Sequence, residues 1–464
     1  MVRSIGMDVH RDFCEVAIAE AGAVRAAGRI LTTPAALELF ARSLAPTDEV
    51  AIEATANALA IARIIEPHVA RVVLANPKAV REKSPRAKTD KVDAKTLARL
   101  LAVGFLDEVW TPDEAARARR RLISRRCALV RQRTREKNQV HAALQRNLIE
   151  RPPMSDLFGV KGRAWLSVRL GRLPLDERLS VEACLRQIDF VAGELAALDK
   201  IIAADALNDV DALRLMTLPG VSAVTAIALR GAIGDISRFR TPRHLVAYLG
   251  LDPRVRQSGN EPAKHGKISK QGPGEVRGLL VEAAWHAART AGPLRAFHQR
   301  LAGRRGANIA TVAVARKLVI IAWHLLSRGE KYAFMRPALY RQKIRRLGLM
   351  TGATRQQGKR LAEPSYLRAS DPRRHAEDEL VEAHEAAYRR LVADWQASRP
   401  SRKAGAGATP GARISKALEG QSRAAGCLAP EPALRFVSHP HPPPPSLPPG
   451  RHQRPDDLTF IRSA

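Results

Sequence analysis

Cysteine is scarce and poorly spaced for chemistry: Cys14, Cys127, Cys184 and Cys427 lie far apart, with no CxxC pair among them. This spacing excludes a cysteine-rich zinc site and a disulfide framework, and it points to a reducing cytoplasm. Long apolar runs are also lacking, and none is read as approaching the roughly 18 residues that span a bilayer. The opening stretch Met1–His10 is strand-like and carries Asp8, unlike the apolar core of a secretory signal. Acidic side chains are in deficit: 46 Asp and Glu stand against 77 Lys and Arg, giving a net charge of +31. Such a surplus says nothing about fold but favours a polyanionic partner. A membrane-surface protein or a ribosomal component would share it, so charge alone leaves the class open.

What is present begins with alternating strands and helices over residues 1–111. Ser4–Met7, Cys14–Ala19 and Val24–Leu31 read as short strands, and Glu49–Glu53 and Val72–Ala75 as two more. Helices are expected at Pro34–Leu44 and Ala56–Val69, so this part predicts a mixed sheet with helices packed on it. Residues 112–205 turn helical. Cations crowd Ala115–Lys137, among them Arg120, Arg121, Arg125 and Arg126, while Glu136 is the lone acid of that stretch. Apolar Leu122, Leu129, Val130, Val140, Leu144 and Leu148 recur near helical or heptad spacing, which predicts one packed seam with cationic flanks. A solvated face is the plain alternative, but cations without compensating acids repel unless an outside anion intervenes, which favours nucleic acid. Arg151-Pro152-Pro153 and a later helix at Phe190–Ala203 suggest a helical hairpin that returns the chain.

Residues 206–345 form a further unit, opened by Leu218-Pro219-Gly220-Val221-Ser222 between two helices. This reads as a helix–hairpin–helix, in which Gly220 exposes backbone N–H groups to a DNA phosphate; packing alone would also explain a Pro-Gly turn. Residues 346–464 end in a Pro-, Arg-, Gly- and Ser-rich tail containing His439-Pro440-His441-Pro442, read as disordered and dispensable for chemistry.

Asp8 and Glu53 each end an apolar strand, and Asp90 and Asp93 stand at i and i+3 in the first turn of an expected helix. Singly, such acids are turn formers or helix N-terminal charges. As an ordered set in a basic protein they point to one or two Mg²⁺ ions acting at phosphorus. A second constellation surrounds Ser258-Gly259, with Arg254, Arg256, Lys267 and Lys270 nearby and no Ser–His–Asp arrangement in sight, although His265 is close in sequence. A metal-bound hydroxide would serve to activate the serine, and a plain Ser-Gly turn in a basic loop explains the spacing equally well. Ser269 is the competing serine.

Together these residues resemble the DEDD-type transposases of the insertion sequence 110 family, the Piv/MooV-like, bridge-RNA-guided recombinases. The markers are Gly6-Met7-Asp8-Val9-His10, Ile52-Glu53-Ala54, Lys88-Thr89-Asp90 with Asp93-Ala94, Leu218-Pro219-Gly220-Val221, Leu249-Gly250-Leu251, Ser258-Gly259, Ile268-Ser269-Lys270 and Val314-Ala315-Arg316-Lys317-Leu318. They span roughly residues 1–345. The resemblance implies an α/β RuvC-like (ribonuclease H-like) N-terminal domain with metal ligands Asp8, Glu53, Asp90 and Asp93. It further implies a coiled-coil linker used in oligomerisation and a mostly α C-terminal transposase domain whose nucleophile is Ser258. On that pattern the serine joins covalently to a DNA 5′-phosphate, and another subunit completes the acidic site. The implied partners are DNA, a noncoding guide RNA and further copies of the chain, as homodimer or homotetramer, with no membrane. The implied location is the bacterial cytoplasm, at the nucleoid. One departure lies at Gln271-Gly272-Pro273-Gly274, where the family usually runs straight toward Leu-Arg, and this leaves the start of the next helix open. The competing readings are a Holliday-junction nuclease using water with the same acids, and a noncatalytic nucleic-acid-binding protein.

Overall fold

Alternating large and small side chains shape the N-terminal sheet. Strands β1 (Ser4–Val9), β2 (Phe13–Glu20) and β3 (Ala23–Leu31) are antiparallel, while β4 (Glu49–Glu53) and β5 (Arg71–Ala75) run parallel to β1, in the order β3-β2-β1-β4-β5. One face carries Ile5, Met7, Val16, Ile18, Val50 and Ile52 against α1 (Pro34–Arg42) and α2 (Ala58–Ile65). Each such side chain taken out of water stabilises the layer by about 1.5–3 kcal/mol. The opposite face is lined by Gly6, Ala17, Ala19, Ala51 and Ala75. After α3 (Pro77–Lys83), helix α4 (Asp90–Ala102) lies on that small-residue face. A Cβ on Gly6 would stand 2.2 Å from the Ala94 carbonyl oxygen and 2.4 Å from the Ala98 nitrogen, so only glycine lets the helix approach this closely.

The computed structural model describes residues 2–83, 89–259, 261–353 and 372–397. They divide into two compact units, one of Met1–Leu213 with Ser222–Leu279 and Met350–Ala353, the other of Arg214–Val221, Leu280–Leu349 and the described chain beyond Thr354. In the first unit α5 (Glu114–Arg146) starts on an Asp113 cap, whose carboxylate accepts from the Ala116 N–H. It pairs with α7 (Leu175–Asn208) after the short α6 (Val160–Arg169). Arg119 meets Asp205, Arg126 meets Asp199 and Arg146 meets Glu177, so the two long helices run antiparallel. The hairpin expected from Arg151-Pro152-Pro153 is therefore present, with Leu129, Val191 and Leu195 in its seam.

Along the chain follow α8 (Val210–Leu215), α9 (Ala223–Ile233), α10 (Pro242–Tyr248), the hairpin β6 (Pro253–Arg256)–β7 (Lys264–Ile268) and α11 (Gly274–Arg289). The sequence leaves the start of α11 open, and the structure places it at Gly274. Arg277 holds the approach by donating to the carbonyls of Leu249 and Gln271, both at 3.2 Å. The second unit contains α12 (Pro293–Arg305), α13 (Ala307–Arg328), α14 (Pro337–Met350) and α15 (Pro372–Ala397). Among the described residues, helix α13 alone is long and apolar enough to cross a membrane by length and composition, although Arg316 and Lys317 interrupt its apolar run. Its Ala310, Val314, Leu318, Val319, Ala322 and Leu325 are buried within the protein, the pattern of a core helix. The Pro-rich tail and Lys88 lie outside the described residues.

Candidate metal centre and basic hairpin

Strand register brings the acids together. Met7 of β1 lies beside Ile52 of β4, so one step further along both parallel strands sets Asp8 beside Glu53 at the carboxyl edge. Asp8 follows Gly6 on the face that looks at α4, because strand side chains alternate. From Ala98 and Ala94 over Gly6, α4 runs back toward its N-terminus, where Thr89 accepts a hydrogen bond from the Val92 N–H and caps the helix. Asp90 and Asp93 occupy that first turn. Asp8 is only 7% exposed. Burial pushes its carboxyl up to about 6; His10 pulls against this, and the charges of Asp93, Glu53 and Asp90 push further upward. Glu53, Asp90 and Asp93 are thus all close enough to be felt at Asp8.

The tightest grouping includes a residue that the sequence had not singled out. His10 Nε2 lies 3.3 Å from Asp8 Oδ2 and 3.4 Å from Asp90 Oδ2. Ligand atoms from Asp8, His10 and Asp90 all fall within 4.8 Å of one another, while Glu53 and Asp93 stand outside that set. Its signal was the two-residue period Gly6, Asp8, His10, which continues one residue past the end of β1. Glu15 was missed as well. It pairs directly opposite Asp8 on β2, is 3% exposed at the side chain, and accepts a hydrogen bond from Arg29 at 3.3 Å. Crowded carboxylate oxygens that push Asp8 upward are a donor set suited to a divalent cation, whose charge would favour the ionised forms.

Ser258 sits elsewhere in the same unit, exposed in the turn between β6 and β7, and no hydrogen bond or ion pair of the described residues joins it to Asp8, Glu53 or Asp90. Arg254, Arg256, Lys267 and Lys270 are exposed on or beside the same hairpin. The competing Ser269 is buried, donates its hydroxyl to Asp252 and its N–H to the Asp252 carbonyl, and so has a packing role. The side chain of His265 lies outside the described residues.

The basic helix α5 is less naked than its sequence suggests. Arg120 donates to the carbonyls of Gly231 and Ala232 and to the Tyr248 hydroxyl. Arg126 pairs with Asp199, Arg121 with Glu114, Arg131 with Glu275, and Arg119 with Asp205 and Asp209. The expectation that this charge repels itself for want of acids is corrected, because α7 and neighbouring segments supply them. Arg125 is exposed and makes no ion pair among the described residues. At the Leu218–Val221 turn, Gly220 has φ 78° and a Cβ there would stand 2.1 Å from the Ala283 carbonyl oxygen, so close packing already requires glycine. Beneath the turn the half-buried Lys343 amine, pulled down to about 8 by desolvation, donates to the carbonyls of Met216 and Val221 at 3.1 Å and Leu218 at 3.5 Å.

Known proteins align with both regions. Residues 5–148 match the IS110-type DEDD transposase model, and residues 212–299 match the model described as transposase IS116/IS110/IS902 family. A putative transposase, y4qE, of Sinorhizobium fredii (strain NBRC 101917 / NGR234) is 30% identical over 291 residues, covering 61% of this chain and 70% of that protein. The transposase for insertion sequence element IS1328 of Yersinia enterocolitica is 28% identical over 306 residues, 61% of this chain and 85% of its own. A pilin gene-inverting protein of Moraxella bovis is 32% identical over 121 residues, 25% of this chain and 37% of that one. The DEDD domain implies a RuvC-like fold, which the strand order and the carboxyl-edge acids fit. The chain belongs to the IS116/IS110/IS902 transposase family, and its enzymatic class is that of a DNA transposase or recombinase.

Proposed function

We propose that this chain moves an insertion sequence by metal-dependent cleavage and rejoining of DNA strands, with Ser258 as the attacking group. The observation that carries the reading is the convergence of Glu53, Asp90 and Asp93 on the buried Asp8 at one sheet edge. These four side chains would hold the divalent ion, with Mg²⁺ as the hard cation that oxygen donors favour. When bound, that ion supplies Lewis-acid stabilisation of charge developing at phosphorus. Ser258 Oγ would form a bond to a DNA 5′-phosphate as the bond to the 3′-oxygen breaks, with the leaving oxygen finally taking up a proton equivalent to the one the hydroxyl gives up. Arg254, Arg256, Lys267 and Lys270 would hold phosphates beside it, and exposed Arg125 would extend that contact along α5. The turn at Gly220 is read as a helix–hairpin–helix whose backbone N–H groups meet a phosphate. Because no hydrogen bond or ion pair among the described residues joins Ser258 to the acids, the reading includes assembly as a dimer or tetramer, with acids and serine supplied by different copies. A noncoding guide RNA is the partner proposed to choose the target, and relatives named for transposition and pilin gene inversion support strand exchange as the outcome.

The test is adduct trapping on DNA carrying the element ends, with a divalent cation present. A covalent protein–DNA species should form with the full chain and vanish in Ser258→Ala, while Ser269→Ala loses it only as far as folding is lost. Metal-dependent cleavage without any adduct would instead favour hydrolysis by water, as in a junction nuclease.

A further inference from the structure

His10 is held at the acidic edge with more care than a surface histidine needs. Its N–H donates to the Phe13 carbonyl at 2.9 Å, its own carbonyl accepts from the Asn57 side chain at 3.1 Å, and its ring packs on Phe13 with centroids 4.8 Å apart. The result aims Nε2 between two carboxylates from different elements, Asp8 on β1 and Asp90 on α4, at 3.3 and 3.4 Å. Nε2 is buried and makes no hydrogen bond. A histidinium serving as a counter-ion would instead draw one carboxylate to about 2.7–2.9 Å along an N–H direction. Ligand atoms on adjacent corners of an octahedron, each about 2.1 Å from a cation, lie about 3.0 Å apart, somewhat nearer to the observed separations, and a shared cation accounts for two near-equal contacts where a counter-ion would favour one.

We propose that His10 Nε2 is a direct ligand of the divalent cation, together with Asp8 and Asp90, and that this nitrogen tilts the centre toward Mn²⁺ over Mg²⁺. The inference rests on the carboxylate centre proposed above and deepens it. Oxygen donors suit Mg²⁺ and Mn²⁺ alike, whereas an added imidazole nitrogen is better accepted by a first-row transition ion than by the harder Mg²⁺. The nitrogen comes from the first residue past the strand that carries Asp8, fixed there by the Phe13 and Asn57 hydrogen bonds, so the ligand set needs no movement of an element to form.

The probes are Mn²⁺ and Mg²⁺ alone, added to the full chain without DNA. Pulsed electron paramagnetic resonance of bound Mn²⁺ should show the nitrogen coupling of a directly bound imidazole, and titration should give tighter binding of Mn²⁺ than of Mg²⁺. In His10→Ala or His10→Gln the coupling should vanish and Mn²⁺ affinity should fall by about tenfold or more, with Mg²⁺ affinity changed less than about twofold. Absence of the coupling in the unaltered chain overturns the proposal without need of any variant, and equal losses for both ions in the His10 variants overturn it as well. Asp8→Ala separates the two readings. If Mn²⁺ binds that variant undiminished, the carboxylate centre itself is misplaced; if binding is lost but the unaltered chain shows no coupling, only the role of His10 fails.

Discussion

At the scale of single residues, Gly6 and Asp8 decide whether the acidic edge exists. Gly6 has no room for a methyl group, since its Cβ would press on backbone atoms of Ala94 and Ala98 rather than on a side chain that can turn away. Gly6→Ala should therefore lift α4 from the sheet, at a cost of about 3 kcal/mol in denaturant unfolding, and weaken divalent-cation binding as Asp90 and Asp93 retreat. An unchanged unfolding midpoint would contradict the packing described. Asp8 makes a prediction about pH. Its folded carboxyl is pushed up to about 6, above the ordinary aspartate range, so the folded protein binds that proton more tightly than the unfolded chain does. Metal-free protein should lose stability as pH rises from about 4 through 6, and Asp8→Asn should flatten that part of the profile. Cation affinity should run the other way, weakening below about pH 6 as protons compete for the carboxylate. Thermal unfolding across that range, with and without Mg²⁺, checks both signs.

At the scale of elements, the arginines of α5 divide into two kinds. Arg119 bridges to Asp205 and Asp209 from a half-buried position, so Arg119→Ala should cost about 1–3 kcal/mol of stability. Arg125 is exposed, and Arg125→Ala should leave stability within about 0.5 kcal/mol while reducing the salt dependence of nucleic-acid binding by about one unit of slope. The reverse pattern in unfolding and salt-titration experiments would contradict this division. Elements are also where the sequence spoke most clearly. Glu49–Glu53 is legible to the residue because Val50 and Ile52 alternate with Ala51 between turn residues. The long helix at α5 and the helical return were legible from apolar spacing and from Pro152-Pro153. The partners of the cations on α5 were not, because Asp199 lies 73 residues beyond Arg126 and Asp205 lies 86 beyond Arg119. Similarly, the pairing of Asp8 with Glu15 depends on hairpin register, and the place of His10 depends on α4 returning over Gly6. Neither is written in local pattern.

At the scale of the whole molecule, a small-residue face and a helix pressed on it place acids at an open sheet edge, and a basic hairpin carries the exposed Ser258. The four acids were legible because each stands at a strand end or in a first helical turn of a strongly basic chain, where a spare carboxylate is conspicuous. Ser258 is singled out only by family resemblance; on spacing alone it is one serine in a basic loop, and its exposure leaves it accessible without assigning it a role. Metal-dependent chemistry at this edge requires the acids to act as a single centre. Its most direct test is a divalent-cation titration of the full chain beside Asp8→Asn, Glu53→Gln, Asp90→Asn and Asp93→Asn, with folding checked for each. Saturable binding that each of the four substitutions weakens by about tenfold or more is the predicted result. Binding untouched by any of them in a folded protein would contradict it.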